Sequence, residues 1–180
     1  MTLNIPPSTA STKADFYQDL ELQVQGIVQG QRNWITNLAN VSSLIYHGLR
    51  DATGKPINWA GFYVLDQSVA SSTNKEALIL GPFQGRIACT NIEFGRGVCG
   101  TAAAEKRTLL VKDVHEFPGH IACDSASNSE VVVPLVLDGR VIGVIDLDCE
   151  VTEGFDETDA SGLETVAKIL VAACDWRGVV

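Results

Sequence analysis

The chain predicts an α+β fold: a single domain with a six-stranded, mainly antiparallel sheet, N- and C-terminal helices on one face and a loop-roofed pocket on the other. Three observations lead there. Strand-like runs far outnumber the helices that could cross over between them. The longest helical periodicities lie at the two ends of the chain. Asp138-Gly139 is a hairpin signal between two apolar runs. Helices set apart from an antiparallel sheet cover one of its faces and leave the other for connecting loops. At 180 residues the chain is long enough for one domain with its own core.

The elements read as follows. Residues 1–10 carry Pro6 and Pro7 and little to pack, so a flexible lead-in is expected, with the folded domain spanning 11–180. Ser11 to Asp15 offers a helix cap, and Phe16, Leu20, Leu22, Val24 and Ile27 follow at roughly helical spacing until Gly26 and Gly30 weaken the run. Trp34, Leu38, Val41, Leu44, Ile45 and Leu49 form the stripe of a second helix from about Arg32 to Leu49, and Asp51 to Lys55 reads as a turn. Ile57 to Leu65 is a strand with Trp59, Gly61 and Tyr63 on one face and Ala60, Phe62 and Val64 on the other. Glu76 to Gly81 is a second strand broken by Gly81-Pro82, and Arg86 to Cys89 a third. A Gly-rich turn at Gly95 to Gly97 leads into a helix, and Thr108 to Val111 is the fourth strand. A long connection from Lys112 to Asn128 follows, a length usually functional and often a lid. Glu130 to Leu137 and Val141 to Asp148 form the hairpin. Asp156 to Asp159 starts a last helix with Leu163, Val166, Ala167, Leu170, Val171 and Cys174 inward.

Composition narrows the function. A net charge of −9 with no basic stripe argues against a nucleic-acid partner. No apolar stretch is long enough for a membrane span, and no basic-then-apolar leader is seen. Five cysteines without repeated spacing fit a reducing compartment, so a cytoplasmic location is expected. No metal and no cofactor are expected: there is no Cys-x-x-Cys pair, and His115 and His120 have no partner at ligand spacing.

Three of the cysteines sit in different settings. Cys89 ends an apolar strand-like run, Cys99 opens a helix after a Gly-Arg-Gly turn, and Cys123 lies in a small, polar, irregular segment. A helix start or a polar loop can favour thiolate, because amide N–H groups stabilise the anion. Each one alone is more often a small core residue than a reactive one, and what favours chemistry is the company the three keep. Asp146 and Asp148, two apart on one strand, share a face; counting back from the hairpin turn, Glu130 falls near Asp148 or just beyond. Three carboxylates on an apolar hairpin repel and desolvate badly unless they hold a cation or one keeps its proton. A ligand ammonium is the first candidate cation, Mg²⁺ or Ca²⁺ the second. The plain alternative is a solvated strand face. Trp59 and Tyr63 offer an aromatic wall, or simply core. Together these groups suit a small ligand with an amine and an apolar or thioether tail.

The segments Asn58-Trp-Ala-Gly-Phe-Tyr63, Gly95-Arg-Gly-Val-Cys-Gly100, His120-Ile-Ala-Cys-Asp-Ser-Ala-Ser-Asn-Ser-Glu-Val-Val-Val-Pro134 and Gly143-Val-Ile-Asp-Leu-Asp148 resemble the free methionine-(R)-sulfoxide reductases, a family built on the GAF domain. The resemblance covers nearly the whole chain after the first helix. It implies a GAF fold over 11–180 and reduction of free L-methionine (R)-S-oxide to L-methionine, a repair of oxidative damage. It further implies Cys123 as nucleophile, Cys89 as resolving cysteine, Cys99 as an auxiliary or alternative resolver, and thioredoxin as reductant. Glu130, Asp146 and Asp148 match the family's substrate-site carboxylates, and Trp59 and Tyr63 its aromatic wall. Cys149, where the family more often has serine, would add a thiol next to the site; Cys174 reads as structural. A homodimer is expected because GAF domains often pair through their terminal helices. The competing readings are a non-catalytic GAF sensor using the same cysteines and a structural dimerisation module. Turnover of the free sulfoxide separates them.

Overall fold

The computed structural model describes residues 12–69 and 76–179, so the expected lead-in at 1–10 lies outside the described residues. Helix α1 (Lys13–Val28) starts at Thr12, whose side chain accepts the Asp15 N–H. Helix α2 (Trp34–Thr53) is capped by Asn33 at its start and by Gly54 at its end, with Gly54 left-handed at φ 66°. It therefore runs a full turn beyond Leu49, into the residues expected to form a turn: the left-handed glycine stops the helix, rather than the loss of apolar periodicity. Leu22, two residues past buried Leu20, turns outward and is 67% exposed. It belongs to the solvent side of α1 and not to its inner stripe.

Strands β1 (Ile57–Leu65), β2 (Ala77–Gly85) and β3 (Asn91–Glu93) come next, then helix α3 (Gly97–Glu105) and β4 (Leu109–Val111). The connection to β5 (Ser129–Leu137) contains one 3-10 turn at Val114–Glu116 and is otherwise irregular. Strand β6 (Arg140–Cys149) and helix α4 (Glu157–Ala173) complete the domain. The six strands form one sheet in the order β3-β2-β1-β6-β5-β4, every neighbouring pair antiparallel.

Two strands differ from the sequence expectation. Strand β2 passes through Gly81-Pro82 instead of ending there. The register slips between Gly61 and Tyr63, so a bulge absorbs the extra residue, and β3 pairs only with Ala77 to Ile79, which leaves Pro82 on a free edge where no N–H is needed. The third strand is Asn91–Glu93 and not Arg86 to Cys89. Gly85, at φ 131°, swings the chain off the sheet, and the Leu80 N–H bond to the Thr90 carbonyl brings it back only after Cys89.

The sheet divides the interior by strand parity. On one face Ala60, Phe62, Val64, Val133, Ile145 and Leu147 pack against α1, α2 and α4. Burial of this magnitude supplies most of the driving force, at ~25 cal/mol per Å² of apolar surface. The capping box at the start of α4, in which Asp156 and Asp159 satisfy each other's backbone N–H groups, fixes where that helix begins. On the other face Trp59, Tyr63, Val132 and Val144 meet Val98, Ala102 and Ala103 of α3. Helix α3 lies so close to β3 that a Cβ on Gly100 would overlap the Glu93 carbonyl. That second face carries the site.

Candidate active site

The hairpin sets the register of the acidic groups. Asp138 and Gly139 both have positive φ, 49° and 80°, the signature of a two-residue turn that matches the strand twist. Counting back from it, Glu130 pairs directly with Asp148 and Val132 with Asp146. All three carboxylates leave the same face and line one cavity of about 60 Å³. Glu130 and Asp146 are each only 6% exposed; Asp148 is the most accessible of the three.

Burial first, and then the negative Asp146 and Asp148, push the Glu130 carboxyl well above the usual carboxylate range. Burial likewise raises Asp148, with Asp146 adding to it. Asp146 is raised to about 6, again by burial, against which contacts to Cys99 and Glu130 work. The cluster therefore retains protons at neutral pH, and desolvation outweighs like-charge repulsion as the reason. Asp146 Oδ1 is buried with no hydrogen-bond partner.

Trp59 and Tyr63 stack with ring centroids 5.8 Å apart, and Phe83 continues the stack at 5.2 Å from Trp59. Both Trp59 and Tyr63 line the cavity. The Tyr63 hydroxyl donates to the Cys89 carbonyl at 3.1 Å, which ties the β2–β3 connection to the sheet. Burial and the neighbouring Asp146 raise its phenol far above the ordinary value, so it stays a donor.

Cys89 and Cys123 form a disulfide at the cavity mouth, with Cα atoms 5.4 Å apart. Cys123 is exposed and Cys89 half-buried. The Cys123 segment is anchored one turn later: Asn58 Nδ2 donates to Ser127 Oγ at 2.9 Å and to Asp124 Oδ2 at 3.4 Å, while the Asp124 side chain accepts the Ala126 N–H. His120, from the same connection, brings Nε2 within 3.8 Å of Glu130 Oε2. Burial and nearby His115 lower its pKa, so at neutral pH this approach is not an ion pair.

Cys99 sits in the first turn of α3, as expected, but the turn does not favour its thiolate. The thiol is buried 3.8 Å from Glu130 Oε1, and burial together with Asp146 and Glu130 pushes it well above the ordinary thiol value. Its Sγ and one carboxylate oxygen each of Glu130 and Asp146 lie within 4.8 Å of one another, the arrangement among the described residues that could hold a metal ion.

Comparison with known proteins agrees with this geometry. The GAF domain family model matches residues 31–175. The free methionine-R-sulfoxide reductase of Saccharomyces cerevisiae is 48% identical over 171 residues, covering 94% of this chain and 92% of that protein. The enzyme of the same name from Escherichia coli is 45% identical, covering 92% of this chain and 94% of its own length. The chain belongs to the free methionine-R-sulfoxide reductase family. The solved structure of the Neisseria meningitidis member, in complex with its substrate, superposes with a TM-score of 0.80 at 47% identity and covers 92% of both chains.

Within this reductase fold, every residue singled out on the resemblance for a catalytic or binding role lines the one cavity: Cys89, Cys99 and Cys123, Glu130, Asp146 and Asp148, and Trp59 with Tyr63. Cys149 does not. One residue beyond Asp148, it faces the helix-side core, fully buried and packed against Gly154. Strand alternation puts it on the far side of the sheet from the disulfide. Cys174 follows α4 into the same core, where Asn37 Nδ2 donates to its sulfur at 3.3 Å. Asn58, Asp124 and Ser127 escaped the sequence reading as site residues although they lay inside the matching segments. A polar Asn opening a run of aromatic and apolar strand residues was the available signal.

Proposed function

We propose that the protein reduces free L-methionine (R)-S-oxide to L-methionine through the thiols of Cys123 and Cys89. The observation that carries this reading is the Cys89–Cys123 disulfide beside a cavity lined by three carboxylates, two of them buried. In the reduced enzyme the Cys123 thiolate attacks the sulfoxide sulfur while a protonated carboxyl of the cluster donates to the oxygen. The oxygen then passes to the Cys123 sulfur as the transient sulfur–sulfur bond and the substrate's sulfur–oxygen bond break, so methionine leaves and Cys123 is left as a sulfenic acid. The Cys89 thiol condenses with it, releasing water and closing the disulfide. Glu130 fits the donor role, since burial and its acidic neighbours keep it protonated.

The ionised members of the cluster pair with the substrate ammonium, and Asp146 Oδ1, buried without a partner, is an acceptor ready for it. Trp59 packs against the apolar end of the ligand. A methionine sulfoxide inside a polypeptide presents an uncharged amide in place of the ammonium and would leave buried charge unpaired, which explains selectivity for the free amino acid. Cys99 stands in the carboxylate cluster as a protonated thiol, an auxiliary resolver once Cys123 has been oxidised.

The catalytic cycle closes when thioredoxin reduces the disulfide by thiol–disulfide exchange. The exposure of Cys123 suits attack by a protein dithiol, and the free, buried Cys99, Cys149 and Cys174 suit a reducing cytoplasm. Pairing of two copies through the terminal helices is the assembly we expect, read by sedimentation velocity.

The test is methionine release from the separated R and S epimers with thioredoxin, thioredoxin reductase and NADPH. Release from the free R epimer alone is expected. Absence of release, or equal release from a peptide carrying the sulfoxide, would remove this function. A non-catalytic sensor would bind the amino acid without consuming NADPH.

A further inference from the structure

We infer that the carboxylate pocket is also a binding site for a borderline divalent cation of the Zn²⁺ type, held by Cys99, Glu130 and Asp146. Sequence spacing argued against zinc because there is no Cys-x-x-Cys pair and His115 and His120 have no partner at ligand spacing. The fold assembles the set from three elements instead: Cys99 from α3, Glu130 from β5 and Asp146 from β6. Their donor atoms lie within 4.8 Å of one another, the spread a single ion can bridge once short metal–ligand bonds draw them in. All three residues are buried.

A second observation points to a ligand there. Asp146 lines the cavity, and its Oδ1 is buried with no hydrogen-bond partner. A carboxylate oxygen in that condition forgoes a hydrogen bond in a site where desolvation is already costly, and a cation restores what it lacks. His120 is a neighbour of the set and not part of it, with Nε2 3.8 Å from Glu130 Oε2, so water completes the coordination.

The donor chemistry selects the ion. Mg²⁺ and Ca²⁺ take oxygen ligands, whereas Zn²⁺ accepts sulfur, nitrogen and carboxylate oxygen together. On binding, the Cys99 thiol proton and any carboxyl proton pass to solvent, and the thiolate and carboxylates neutralise the ion. On the reading above Asp146 takes the substrate ammonium and Glu130 donates to the sulfoxide oxygen, so cation and amino acid exclude each other. Zinc is then a reversible, substrate-competitive inhibitor that acts without touching Cys89 or Cys123.

The experiment uses the full-length protein in its oxidised form, so that the Cys89–Cys123 disulfide keeps those sulfurs out of reach and only Cys99, Cys149 and Cys174 remain free. Co²⁺ serves as the optical probe and Zn²⁺ as competitor. One equivalent of Co²⁺ is expected to bind with a near-ultraviolet thiolate charge-transfer band that Zn²⁺ abolishes. The band should vanish in Cys99→Ser and persist in Cys149→Ser and Cys174→Ser. Glu130→Gln and Asp146→Asn, with native circular dichroism, should each weaken binding at least about tenfold. No saturable binding, or a band that survives Cys99→Ser, overturns the site.

Free methionine should raise the apparent dissociation constant in proportion to its concentration. Because the metal is read optically, this result is independent of turnover. A Cys99-dependent band that methionine leaves unchanged would uphold the metal site and overturn instead the placement of the ammonium on these carboxylates.

Discussion

Neutralising Asp146 should make the protein more stable while making it a worse enzyme. Burial raises this carboxyl from 3.8 to about 6, so the native state holds its proton more tightly than the unfolded chain does. The sign follows directly. The favourable contribution of the group is complete below its unfolded value and is lost as pH rises through about 6, above which ionised Asp146 is a constant penalty. At ~1.4 kcal/mol per pH unit between the two values, that penalty is on the order of 3 kcal/mol at pH 8 and is mostly gone by pH 4. Asp146→Asn keeps the shape and offers its amide hydrogens to Glu130 and Cys99. Urea unfolding of the oxidised protein should therefore show a gain of up to about 3 kcal/mol at pH 8 that shrinks steeply toward pH 4. The same variant should raise KM for the free sulfoxide by tenfold or more, on the order of one charge-assisted hydrogen bond. A stability change that is negative or independent of pH would refute the desolvated-cluster account. Unchanged KM would take Asp146 out of the binding site.

Other consequences are sharp as well. Cys123→Ser should abolish methionine formation altogether, whereas Cys89→Ser should still release about one methionine per chain, and Cys89→Ser combined with Cys99→Ser should accumulate a sulfenic acid that dimedone traps. Tyr63→Phe removes the hydrogen bond to the Cys89 carbonyl; it should cost about 1 kcal/mol of stability and slow disulfide closure in stopped-flow thiol measurements. Gly100→Ala drives a Cβ into the Glu93 carbonyl and should lower stability by about 1–3 kcal/mol, read as a drop in melting temperature.

What the sequence made legible follows from what is local or periodic. Period-two alternation put Trp59 and Tyr63 on one face and Phe62 on the other, and the Asp138-Gly139 turn set the register that brings Glu130 opposite Asp148. The same parity rule excludes Cys149 from the site, since a residue adjacent to Asp148 must face away. Tertiary effects were not legible. Arg86 to Cys89 looks like a strand, but Gly85 turns it off the sheet, and that departure is what frees Cys89 to reach Cys123. A proline in β2 reads as a break until the bulge and the short neighbour β3 show that no N–H is required at that edge. Cys99 occupies a helix start that would favour thiolate in isolation, yet the carboxylates packed over it from β5 and β6 reverse the effect. The polar anchor of the Cys123 segment, Asn58 with Asp124 and Ser127, joins residues far apart in the chain and carries no periodic signal.

The proposed mechanism couples the Cys123 sulfur to an acidic grip on a free amino acid within one cavity. It is tested most directly by a single turnover of fully reduced protein, without reductant, on free L-methionine (R)-S-oxide, followed by thiol counting and peptide mapping. One methionine released per chain, two thiols lost and a Cys89–Cys123 cross-linked peptide are expected. Methionine released with Cys123 still a free thiol, or no methionine from a protein that readily forms the disulfide with other oxidants, would contradict it.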